Sequence, residues 1–281
     1  MKDQAASLRQ MAARMGSVGV PQDDGPPTIV IASGKGGVGK SVIATLLARA
    51  LSEDQRQVLL LEGAQNLGSL HVLLGVRPAE RLEALFYGDA SPVDLLTQVT
   101  DDLWLLPGDS GTESLYALGA VDRARLHHRL NSLYDRFDAV VIDAGSGLES
   151  VVRVASMRAT QMVLVTVPEP AALIDAYAVM KIVHLQVPTL GMSVLVNSVG
   201  EGESGIDAFD KLATACKRFL KFEPQYLGDI PTDSGVRNAA RTPGGLITLP
   251  QENAAQQALH AIVERHQGLW PVEILAREVA S

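Results

Sequence analysis

Six runs of consecutive apolar residues recur along the chain: TIVIAS (28–33), QVLLLEG (57–63), DLWLLP (102–107), DAVVIDA (138–144), QMVLVTV (161–167) and MSVLVN (192–197). A strand with one face in water alternates apolar and polar residues, so runs like these predict strands covered on both faces. Longer helical patterns fill the spaces between them: Lys40–Ser52, Val121–Arg136, Leu148–Thr160, Ala171–Leu185 and Gly205–Leu220. This alternation predicts an α/β fold, a mostly parallel twisted sheet flanked by helices on both faces with right-handed crossovers. A chain of 281 residues, 47% hydrophobic, is long enough for one large domain of this kind. Residues 28–265 are read as that domain. Residues 1–27 form an arm and a linker, GVPQDDGPP at 19–27, and residues 266–281 form a tail.

The formal net charge of −8 argues against a broad nucleic-acid surface, which needs clustered Lys and Arg, so DNA is not an expected partner. Cys216 is the sole cysteine, which excludes an internal disulfide framework and a cysteine-rich metal site within one chain. It reads as a buried helix residue. The N-terminus lacks the apolar core of a signal peptide, and no run approaches the roughly 18 apolar residues of a membrane span. The expected location is cytoplasmic.

The first apolar run leads into IASGKGGVGKS, which satisfies the phosphate-loop pattern at Gly34, Gly39, Lys40 and Ser41. Glycines at Gly34, Gly36, Gly37 and Gly39, with Val38 between them, let backbone N–H groups turn inward around phosphate oxygens. The helix beginning at Lys40 adds its positive dipole end. Lys40 is expected on the β- and γ-phosphates, and the Ser41 hydroxyl on Mg²⁺. The ligand implied is a nucleoside triphosphate with Mg²⁺, and the domain reads as a P-loop NTPase domain.

With a second lysine, Lys35, in KGGVGKS, the loop resembles the deviant form of the MinD/ParA group of P-loop ATPases. In that group this lysine reaches across a dimer interface to the partner's nucleotide, so the resemblance implies a homodimer formed on ATP. FDAVVIDAGSG resembles the family's Walker B strand, placing Asp143 near Mg²⁺ at the carboxyl edge of the sheet, where such sheets bind ligands. VTVPEPAALIDAY resembles the family's T-x-P-E-P … DAY segment, with Glu169, Pro170 and Asp175 in place. Asp175 fits either a direct role or a first-turn helix position favoured by the dipole. VLVNSV puts Asn197 where the family reads the adenine edge, an amide offering both donor and acceptor. YLGDIPTDSGVRNAAR resembles the segment whose backbone passes close to the base, including Pro231.

DQAASLR at Asp3–Arg9 resembles the DQAxxLR motif of the FlhG (FleN, YlxH) branch, which controls flagellar number and placement. In that branch the arm engages the FlhF GTPase. Asp3, Gln4, Leu8 and Arg9 are thus implied partner contacts, and a flagellar transcription regulator is a further implied partner. The tail, LWPVEILAREVA, fits a peripheral membrane contact or docking on protein, since Pro271 interrupts any continuous helix.

The pattern breaks at VLLLEGAQN, where the family carries D-x-D after its second strand. Here the positions are Glu62 and Ala64. The second aspartate helps position the attacking water, and a methyl group cannot do so. Hydrolysis is therefore expected to be slow or absent while binding survives, leaving a switch, a non-hydrolysing ATP-binding scaffold, or a ParA-type partitioning ATPase as the readings in play. Gln65 could orient a water as glutamines do in some GTPases, if the segment rearranges. Glu62 keeps the charge, facing Mg²⁺ or lying further from the γ-phosphate. Replacing Ala64 by Asp is expected to raise single-turnover ATP hydrolysis by on the order of 10²; an unchanged rate would show that Ala64 is not what limits the reaction.

Overall fold

In β1 (Thr28–Ala32), Ile29 and Ile31 join one apolar cluster while Val30 and Ala32 join another, and β5 (Ala139–Ala144) divides its residues the same way. The two-residue period of a strand sends neighbouring side chains to opposite faces, and here both faces are covered. The computed structural model describes residues 25–53, 55–63, 70–82, 84–87, 90–108, 128–145, 151 and 159–267. Ala64 and Gln65, the arm with Asp3, Gln4, Leu8 and Arg9, the tail from residue 268, and all but 151, 159 and 160 of the helix expected over 148–160 lie outside these.

The remaining strands are β2 (Val58–Gly63), β3 (Thr97–Gln98), β4 (Leu103–Leu106), β6 (Gln161–Thr166), β7 (Gly191–Val199) and β8 (Gln225–Pro231). They form one sheet in the order β3-β4-β2-β5-β1-β6-β7-β8, parallel except where β3 meets β4. The helices are α1 (Lys40–Ser52), α2 (Leu70–Leu74), α3 (Ala84–Tyr87), α4 (128–134), α5 (Pro170–Gln186), α6 (Gly205–Leu220), α7 (Ser234–Ala239) and α8 (Ala254–Arg265). On one face α4, α5 and α6 contribute residues such as Leu133, Val179, Met180 and Leu212; on the other, α1, α2 and α8 contribute Ile43, Leu46, Leu70 and Leu259. Each such large side chain, fully buried, contributes about 1.5–3 kcal/mol.

The α/β architecture expected from the sequence is the one observed, and α1 and α6 have the expected bounds. Two strands were not expected. β3 is two residues long, and β8 (QYLGDIP) carries Gly, Asp and Pro, types depleted in strands. It forms because it lies at the sheet edge, pairing only with β7, so its proline needs no second partner.

Cys216 is buried on α6, its sulfur 3.7 Å from that of Met180. Burial pushes its thiol up to about 11. In the native protein Cys216 is expected to react with a thiol reagent at pH 8 at least about 10²-fold more slowly than in denaturant; comparable rates would contradict this packing.

Candidate functional site

β1 lies at the centre of the sheet, between β5 and β6, and the chain leaves its carboxyl end through residues 33–39 into α1. That turn requires positive φ, +83° at Gly37 and +87° at Gly39, which other residues adopt only under strain. Gly34 is needed for a different reason. A Cβ there would lie 2.2 Å from the backbone carbon of Asp175, so the loop is wedged against the first turns of α5. Asp175 thus meets the loop through its backbone. At Gly36 and Gly37 an added Cβ would meet nothing within 4 Å, and residues 35–37 are exposed.

α6, α7 and α8 have side-chain caps: Ser204 accepts from Asp207 N–H at 3.2 Å, Asp233 from Val236 N–H at 3.0 Å, and Asn253 from two N–H groups at 3.1 Å. α1 has none, because its N-cap is Gly39. A helix start without a side-chain cap leaves its first-turn N–H groups as donors, an arrangement complementary to an anion.

Lys40 Nζ donates to Asp143 Oδ1, and both side chains are nearly buried, at 11% and 4% exposure. Asp143 stands on β5 beside Ile31 of β1 and Glu62 of β2. Lys35 instead pairs with Glu169, at 3.1 Å, in an exposed contact at 43% and 63% exposure. Exposed pairs of this kind contribute at most about 1 kcal/mol, so Lys35 is readily released.

On the other side of the loop, Asn197 Nδ2 donates to the Val38 carbonyl at 2.8 Å. This contact orients the amide and leaves Oδ1 as its acceptor. Asn197 and Pro231, at the carboxyl ends of β7 and β8, line a cavity of about 310 Å³ together with Gly39, Asp233, Arg237 and Arg241. The volume suits a small-molecule site. Asp233 titrates below the usual carboxylate range: burial alone would raise it, but hydrogen bonds from Val236 N–H, the Asn253 side chain and Gly235 N–H outweigh that.

The structure therefore brings Gly34, Gly36, Gly37, Val38, Gly39, Lys40, Ser41, Asp143, Asn197 and Pro231 to one edge of the sheet, with Lys35 beside them. Gln65 and the arm residues lie outside the described residues. Glu62 is 2% exposed, and its two oxygens accept from Leu70 N–H at 2.8 Å and Gly108 N–H at 3.2 Å, which accords with the second of the two placements expected for it, away from the metal. Sequence reasoning missed Arg237, on α7, Arg241, in the turn that follows it, and Glu169 as the partner of Lys35, for which no local signal exists.

Residues 26–266 match the family described as "ParA: NUBPL iron-transfer P-loop NTPase". The chain is 32% identical over 245 residues to the antiactivator FleN of Pseudomonas aeruginosa, covering 87% of each chain. It is 29% identical over 214 residues to the flagellum site-determining protein YlxH of Helicobacter pylori, covering 76% of this chain and 72% of the relative. The septum site-determining protein MinD of Pyrococcus horikoshii, solved with Mg-ADP, superimposes with a TM-score of 0.69 at 25% identity, covering 85% of this chain and 95% of that one.

ATP with Mg²⁺ is what proteins of this family bind. The residues here fit it: an uncapped helix start, open space over Gly36 and Gly37, and a lysine and a carboxylate at the same edge. Among the described residues no cluster of three or more His, Cys, Asp or Glu could hold a metal alone. Mg²⁺ needs no such cluster, being held by one or two protein ligands plus phosphate oxygens and waters. Iron–sulfur cargo does not fit, because it is held by cysteine thiolates and the single cysteine is buried in α6. Among the described residues no helix is long and apolar enough to cross a membrane.

The glycines separate by reason. Gly34→Ala is expected to lower unfolding stability by about 2 kcal/mol or more, since the backbone of α5 must shift, and Gly36→Ala to change it by less than about 0.5 kcal/mol. Denaturant unfolding of the two variants checks the difference; equal losses would contradict the wedge at Asp175.

Proposed function

Because the chain belongs to the ParA family of P-loop NTPases, whose members are ATPases, we propose that it is an ATP-dependent dimerisation switch of the FleN/FlhG kind that regulates flagellar number or placement. The observation that carries this reading is the pairing of an uncapped, glycine-turned helix start with the buried Lys40–Asp143 contact, in a chain similar to FleN over 87% of its length.

In this reading bound Mg-ATP supplies the charge that reorganises the site, and the chain's own residues receive it. Lys40 exchanges its contact with Asp143 for the β- and γ-phosphates. Asp143, once released from Lys40, and the Ser41 hydroxyl would hold the Mg²⁺ that comes with the nucleotide. Asn197 Oδ1, its amide fixed by Val38, accepts from the exocyclic amine of adenine, a donor that guanine lacks at that position. Pro231 lines the base cavity. Lys35 leaves Glu169 for the nucleotide of a second copy. The switch works only if the dimer binds ATP more tightly than the monomer does, because a ligand indifferent to the two states shifts nothing.

The arm residues Asp3, Gln4, Leu8 and Arg9 are proposed contacts for an FlhF-like GTPase, supported by the DQAASLR motif, with a flagellar transcription regulator as a further partner and a peripheral membrane contact for the tail. The proposed location is cytoplasmic, at the inner face of the cell membrane when the tail engages it. Ala64 favours a second reading, an ATP-binding scaffold that dimerises without turnover.

Light scattering tests the switch. The chain is expected to be monomeric alone and with Mg-ADP, and dimeric with Mg-ATP, while Lys40→Ala stays monomeric; a monomer under all conditions removes the proposal. In the native host, deletion is expected to change the number or position of flagella, and an unaltered count and placement would remove the flagellar assignment.

A further inference from the structure

Glu62, next to the last residue of β2, stands beside Asp143 and is nearly inaccessible, at 2% exposure. A carboxylate so enclosed must satisfy its lone pairs from the protein. It does so with backbone: Oε1 takes the Leu70 N–H and Oε2 the Gly108 N–H. Leu70 opens α2, and Gly108 follows β4, the strand next to β2. One side chain therefore ties the carboxyl ends of two adjacent strands to the start of a helix. The fit at Gly108 is close, since a Cβ there would lie 2.8 Å from the Glu62 carbonyl oxygen and 3.2 Å from its Cγ.

The length of the side chain matters. An aspartate is shorter by one methylene, about 1.5 Å, and from the same strand position could not keep both N–H groups. For Glu62 to turn toward a metal it would have to abandon two buried donors. We propose that Glu62 is a positioning residue and not a metal ligand: its carboxylate fixes Leu70 and Gly108 beside the strand end that carries Asp143, and thereby sets the edge on which triphosphate is recognised. The inference rests on the nucleotide-binding reading above.

The test uses the full chain and the variants Glu62→Gln, Glu62→Asp and Gly108→Ala. Calorimetry gives the affinities for Mg-ADP and Mg-ATP, a Mg²⁺ titration at fixed ATP gives the metal requirement, and thermal unfolding reports the fold. Both Glu62 variants are expected to weaken Mg-ATP by about tenfold, leaving Mg-ADP affinity and the half-saturating Mg²⁺ concentration within about twofold. Gly108→Ala, which disturbs the same contact without touching the carboxylate, should reproduce that loss. The Glu62→Gln/Gly108→Ala double variant should lose no more than either single one. Should Glu62→Gln fail to fold, Gly108→Ala carries the same comparison. A Mg²⁺ requirement that rises with Gln and returns with Asp would make Glu62 a metal ligand and overturn the proposal. So would variants that lose thermal stability while both nucleotides weaken equally or remain unaffected, since that marks a purely structural role. If the unsubstituted chain binds neither nucleotide, it is the nucleotide-binding reading that has failed.

Discussion

The burial of the central strands on both faces governs the placement of everything polar in this protein. β1, β2 and β5 carry core side chains alternately into two apolar clusters, leaving no face on which a charged group could meet water. Charge is therefore driven to the ends of the strands, and parallel pairing puts the carboxyl ends of β1, β2 and β5 side by side. Glu62 and Asp143 both occupy that edge, each buried and each satisfied differently: Asp143 by the ammonium of Lys40, Glu62 by two backbone N–H groups. Two neighbouring carboxylates thus acquire separate roles from what the fold places above them.

The phosphate loop depends on contacts distant in sequence. Gly34 abuts α5 and Gly39 abuts Asn197, whose amide in turn holds the Val38 carbonyl. The loop therefore touches α5 through Gly34 and the cavity through Gly39 and Asn197, and a movement of the loop is felt at both because the contacts are close-packed. Lys35 joins the same set through Glu169 at the start of α5. Its contact is exposed and weak, in contrast to the buried pair at Lys40.

Ala64 leaves these parts in place. The uncapped start of α1, the Lys40–Asp143 pair and the Asn197 cavity lie on elements that do not include it. The fold is shared with iron-transfer relatives, but the thiolates that iron chemistry would need are absent.

What the sequence determined by itself was periodic or local. Consecutive apolar runs announced strands covered on both faces, the intervening patterns gave α1 and α6 their bounds, and the glycine spacing marked the loop, since each of these follows from backbone geometry within a few residues. What lay beyond it was set by long-range contact. β8 is a strand only because β7 offers an edge. Gly34 is required only because α5 passes 2.2 Å from where its Cβ would be. Glu62, legible in the sequence as a displaced aspartate, became a bridge between Leu70 and Gly108 only when folding brought N–H groups 8 and 46 residues away within reach of one buried carboxylate.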